Sequence, residues 1–154
     1  MRRVGLPLAV LLVLAVSAAA ADKVTVTVLA IKASDVKAPI DAKLKDLAKQ
    51  LKGAVSFKSL QLLSEKSRSG PYGKKQSFSL PEKMVLTVTP LEKPEDRIRL
   101  RVLLQRPKPN APADAKKQTV VNMKITLPSK QGFPIVGPKL SDGGRLVLVI
   151  SAAE

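Results

Sequence analysis

Residues 97–104 read Arg-Ile-Arg-Leu-Arg-Val-Leu-Leu, and the reading of this octapeptide decides the fold. Charged and apolar residues alternate from Arg97 to Val102, a period of two that an extended strand converts into one apolar and one polar face. A helix would scatter Ile98, Leu100 and Val102 around its circumference. As a strand, the segment sends Ile98, Leu100, Val102 and Leu104 toward a core and Arg97, Arg99 and Arg101 away from it.

The same period recurs on both sides. Upstream, Val24, Val26 and Val28 alternate with Thr25 and Thr27, and the run continues through Leu29 and Ile31. Phe78 with Leu80, then residues 85–88, add short strands punctuated by Pro81 and Pro90. Downstream, Val121, Met123, Ile125 and Leu127 form one strand, and Leu146, Leu148 and Ile150 form the last. Pro128 and Pro134 lack the amide N–H that a ladder needs, so they confine their region to edges or turns. Between 54 and 62, Val55 and Phe57 hold one phase while Leu60 and Leu62 hold the other. A change of phase across Lys58-Ser59 predicts a β-bulge or two short strands.

One segment switches period. Over 39–52, Ile40, Leu44, Leu47, Ala48 and Leu51 share a helical face, and Lys45, Lys49 and Lys52 lie opposite it as a solvated side. Pro39 suits a first helical turn, Asp41 complements the positive end of the helix dipole, and Lys52-Gly53 makes a stop. Loops fall at 66–76, 90–96, 106–116 and 137–144. With no βαβ alternation, the expected class is mainly β (α+β): an antiparallel β-sandwich-like domain over 22–154 with one amphipathic helix.

Residues 1–21 read as an address. Arg2 and Arg3 precede an apolar run from 4 to 16, and Ser17-Ala18-Ala19-Ala20-Ala21 offers cleavage after Ala20 or Ala21. This is the layout of a secretory signal peptide. An uncleaved anchor is the rival reading, and Pro7 and the alanine-rich end argue against it. Cleavage lowers the formal net charge from +15 to +13 and leaves no transmembrane span in the mature chain. The expected destination is the periplasm, with the extracellular medium as the alternative.

Composition excludes much chemistry. The chain of 154 residues has no Cys, His or Trp, which removes disulfide frameworks, thiolate or imidazole metal sites and His-based triads. Lys and Arg number 27 against 12 Asp and Glu, so an anionic partner is the natural one. Nucleic acid is disfavoured, because four aromatics are few for stacking platforms and a leader places the chain away from the genome. Near matches to enzyme motifs fail on detail. Gly132 to Lys139 (GFPIVGPK) puts Pro138 where a phosphate loop needs an amide, and Ser34-x-x-Lys37 lacks its companion motifs. Glu92, Glu95 and Asp96 share a Pro-bearing turn and do not face each other across a cleft.

Two groups remain as candidate contacts for an anionic partner. Arg97, Arg99 and Arg101 leave one strand face at a spacing of about 6.6 Å, and Arg106 carries the positive character into the following loop with Lys108. Lys66, Arg68, Tyr72, Lys74 and Lys75 crowd the segment 66–76 (KSRSGPYGKKQ), which has no acidic residue. The expectation is an exported, non-catalytic domain without cofactor or metal, accessory to a bacterial envelope assembly. Its partner is an envelope protein, reached through basic faces and open sheet edges. The alternative is a polyanion binder for lipid head groups or acidic polysaccharide.

Overall fold

The computed structural model describes residues 22–53, 56–108, 110, 112 and 115–154; the expected leader and Val55 lie outside these. Among the described residues, period-two sequence becomes eight strands. They are β1 (Lys23–Ser34), β2 (Ser59–Pro71), β3 (Gln76–Ser79), β4 (Val85–Glu92), β5 (Arg97–Arg106), β6 (Gln118–Pro128), β7 (Phe133–Lys139) and β8 (Arg145–Ala153), with helix α1 (Lys45–Leu51) between β1 and β2. All pairings are antiparallel, in two sheets of order β2-β1-β8-β7 and β3-β4-β5-β6. The chain runs as a meander that changes sheet at two corners, β2 to β3 and β6 to β7, and closes where β8 pairs with β1.

The octapeptide sits at the centre of the second sheet. Ile98, Leu100, Val102 and Leu104 are fully buried, and they share one cluster with Val24, Val26, Val28 and Ala30 of β1 and Leu146, Leu148 and Ile150 of β8. Two sheets thus contribute their inner faces to one core, as in a sandwich. Each large aliphatic side chain buried there stabilises the fold by about 1.5–3 kcal/mol.

On β8, residues Leu146 to Ile150 are all buried. Val147 and Val149 face away from the sandwich into a second cluster with Ile31, Ala33, Leu44, Ala48, Leu51 and Leu60. The helix therefore covers the outer face of the first sheet, and β8 is dry on both sides. The expected apolar face of the helix is the one used: Leu44, Ala48 and Leu51 are buried, with Ile40 and Leu47 packed at the margin. Its start is later than expected. Asp41 is extended (φ −53°, ψ 132°), its carboxylate accepts from the Lys43 amide at 3.4 Å, and a 3₁₀ turn over Ala42–Leu44 leads into α1. Asp41 is thus a cap, which leaves Pro39 outside the helix.

The phase change lies further along than Lys58-Ser59. Ile31 pairs with Leu62 but Ala30 with Ser64, so Leu63 is the extra residue of a bulge. Before it, Leu60 and Leu62 face the helix; after it, Lys66 and Arg68 stand opposite Val28 and Val26 on the inner side. Three loops are shorter than expected. β2 runs on to Pro71, β4 to Glu92 and β7 to Lys139, because partner strands supply the pairing that these polar or Pro-bearing stretches do not favour by themselves. Pro128 and Pro134 lie in β6 and β7, the outer strands of their sheets, as their missing amides require. The β7–β8 turn closes through Gly143 at φ +91°, a left-handed conformation that other residues adopt at a cost. Among the described residues no helix is long and apolar enough to cross a membrane.

If both clusters hold the fold, Leu148→Ala between the sheets and Leu51→Ala under the helix each lower stability by about 2–5 kcal/mol in urea unfolding. Leu103→Ala, on the partly exposed outer side of β5, costs less than either.

Candidate functional site

Strict alternation along β5 places Arg97, Arg99 and Arg101 on the outer face of the second sheet, with burial reading exposed, intermediate and exposed in turn. Their neighbours are fixed by register. Arg99 stands between Glu92 of β4 and Thr126 of β6, and Arg101 between Thr89 and Lys124. Arg99 is ion-paired with Glu92. Arg101 and Lys124 are directly opposed like charges, an arrangement that destabilises a sheet unless something anionic joins them. Lys124 was not among the residues picked out from the sequence. The signal was present, since it alternates with Met123 and Ile125 and so falls on the same outer face.

Arg106 departs from this stripe. Even-numbered residues of β5 point inward, and Arg106 keeps that phase, so it lies at the end of the sandwich on the opposite side from Arg97, Arg99 and Arg101. There it lines a groove of about 260 Å³ with Lys108.

The basic segment 66–76 is mostly strand, and only residues 72–75 form its turn. Lys66 and Arg68 reach across the open side between the sheets toward β3. The Lys66 ammonium donates to the Ser79 carbonyl at 2.6 Å, and the Arg68 guanidinium stands 6.0 Å from the centre of the Phe78 ring. Inward-turned charges of this kind guard an edge strand against pairing with another chain. Tyr72 is also engaged, its hydroxyl donating to Glu154 at 2.5 Å while Lys93 donates to the other oxygen at 2.5 Å. Burial and then the nearby carboxylate push the phenol pKa well up, and the Lys93 ammonium holds the Glu154 carboxyl below its ordinary range. Lys74 and Lys75 are exposed at the turn. The structure thus joins Arg97, Arg99 and Arg101 on one face and sets the other basic residues at two separate places.

Other near matches have structural occupations. Gly132 to Lys139 is largely β7, and a Cβ at Gly137 would meet the Leu146 carbonyl at 3.1 Å, so that glycine permits close strand approach. Ser34 ends β1 and accepts from the Val36 amide, and Asp142 is paired with Lys32, whose ammonium holds its carboxyl low. Glu92 is held by Arg99, while Glu95 and Asp96 make the β4–β5 turn. A shallow depression of about 370 Å³ beside the β7–β8 turn mixes Asp35 with Lys139 and Arg145. No group of three or more carboxylates is gathered as a metal site among the described residues.

No family model, curated protein or solved structure matches this chain.

Because the folded Glu154 carboxyl titrates below its unfolded value, its contribution is present above the ordinary carboxylate range and is lost as pH falls through the lower, folded value. Glu154→Gln should flatten the acid side of the plot of thermal midpoint against pH, and the alkaline side as well, because Glu154 also holds the Lys93 and Tyr72 values up.

Proposed function

We propose that residues 22–154 act as an exported, non-catalytic binding domain, an accessory component of a bacterial envelope. Its anionic partner docks on the outer face formed by β3 to β6. The observation that carries this reading is the opposition of Arg101 and Lys124 across β5 and β6. Folding alone gains nothing from setting two cations directly opposite each other. A carboxylate or phosphate seated between them turns the repulsion into two charge-assisted hydrogen bonds. Thr87 and Thr89 of β4 and Asn122 and Thr126 of β6 extend the face with neutral donors and acceptors around the charged centre.

The favoured occupant is an acidic surface of an envelope protein. β6 is the long outer strand beside this face, so such a partner can also add main-chain hydrogen bonds along its edge. The second reading has the same face held to lipid head groups or acidic polysaccharide. It is favoured by Arg97, which extends the positive line beyond Arg99 and Arg101. Export rests on the leader pattern of residues 1–21, and the non-catalytic reading on the lack of Cys and His.

Arg101→Gln separates these ideas from a merely solvated face. It should raise stability by about 0.2–1 kcal/mol as the repulsion is relieved. At the same time the purified protein should lose about tenfold in affinity for its anionic partner. Heparin columns and anionic vesicles, run against rising salt, identify a polyanion by steep loss of retention. Pull-down of one envelope protein that survives salt identifies the protein partner. Unchanged retention and unchanged capture in Arg97→Gln/Arg101→Gln would remove this face from consideration.

A further inference from the structure

At the end of the sandwich, away from the outer face just described, three cations converge from separate parts of the chain. Arg106 comes from the last position of β5, Lys108 from the loop beyond it and Lys139 from the end of β7; with Glu82, Met84 and Pro138 they line a groove of about 260 Å³. The Arg106 Nε–H is buried and has no hydrogen-bond partner. A buried donor without a partner is costly, and it marks this guanidinium as imperfectly satisfied by the protein alone.

Glu82, the groove's carboxylate, already has donors. One of its oxygens accepts from the Ser141 amide at 2.6 Å and from the Ser141 hydroxyl. Glu82 and Lys83 both hold left-handed backbone angles (φ 59°), so the turn beside the groove is a strained one clasped to the β7–β8 turn. Strain of this kind persists only where surrounding contacts enforce it. The clasp keeps Glu82 directed at Ser141. Among the described residues, three cations line the groove against one engaged carboxylate, an excess of positive charge.

We propose that this groove binds a phosphomonoester group. A tetrahedral dianion offers oxygens in several directions at once, so it can meet the Arg106 guanidinium, Lys108 and Lys139 together. A carboxylate, planar and singly charged, satisfies fewer of these donors. The site stands independently of the outer-face reading, since it shares no residue with Arg97, Arg99, Arg101 or Lys124.

Calorimetric titration of the purified protein with inorganic phosphate, at constant ionic strength, tests the proposal. One saturable site is expected, weakened about tenfold or more in Lys108→Gln/Lys139→Gln and in Arg106→Gln. Arg97→Gln/Arg101→Gln should bind phosphate as the parent does, even if that variant loses its anionic partner. Lys108 and Lys139 are exposed, so their variant remains informative if Arg106→Gln fails to fold. A second arm uses phosphatidylcholine vesicles containing phosphatidic acid, whose head group is a phosphomonoester, or phosphatidylglycerol, a diester. Capture by phosphatidic acid alone, lost in the lysine double variant, assigns a lipid head group. Phosphate binding without vesicle capture assigns a soluble phosphomonoester. Absence of a saturable phosphate site overturns the proposal. So does parent-like phosphate binding by the lysine double variant.

Discussion

The fold depends on burying both faces of β8. Leu146, Leu148 and Ile150 need the second sheet beneath them, and Val147 and Val149 need the helix above. A strand whose side chains alternate between two faces can be dry on both only when each face has its own cover. β8 also pairs with β1 and β7, so the last strand of the meander is locked laterally as well as vertically. Removing either cover exposes a row of apolar side chains, which makes the helix part of the core despite its single α-helical segment of seven residues.

That constraint decides where the charge goes. A chain with a formal net charge of +15 must keep its cations off two apolar clusters, and the basic residues of β2 and β5 show three ways of doing so. Arg97, Arg99 and Arg101 take the solvent phase of β5. Lys66 and Arg68 take the inner phase of an outer strand, where the bulge at Leu63 turns them across the gap toward β3. Arg106 takes the inner phase where the sandwich ends, and there its guanidinium has cavity in place of core. The first arrangement makes a surface, the second closes an edge, and the third lines a groove with a guanidinium whose Nε is buried and unpartnered.

Much of this was legible in the sequence for a definite reason. Alternation in β1, β5 and β8, the helical stripe from Leu44 to Leu51 and the two prolines of the outer strands are local patterns, because a side chain's direction follows from its position along a strand or helix. The phase rule also placed Arg97, Arg99 and Arg101 on one face. Applied one step further, it would have put Arg106 on the other face and Lys124 on the same face as Arg101. Both placements follow from strand phase alone.

Other features had no local signal. The register that sets Arg101 against Lys124, the bulge at Leu63 and the long reach of β2 come from pairing with strands distant in sequence. Glu154 meets Tyr72 and Lys93, and Glu82 meets Ser141, only because the meander folds into two layers and brings their elements together. The amino-acid order determined which residues turn inward, which segment coils and that the stretches around Pro128 and Pro134 keep to edges or turns, since those depend on side-chain period and amide chemistry. Tertiary structure alone decided which cations face each other, which are internally bonded and which share a groove, since those depend on packing between segments far apart along the chain.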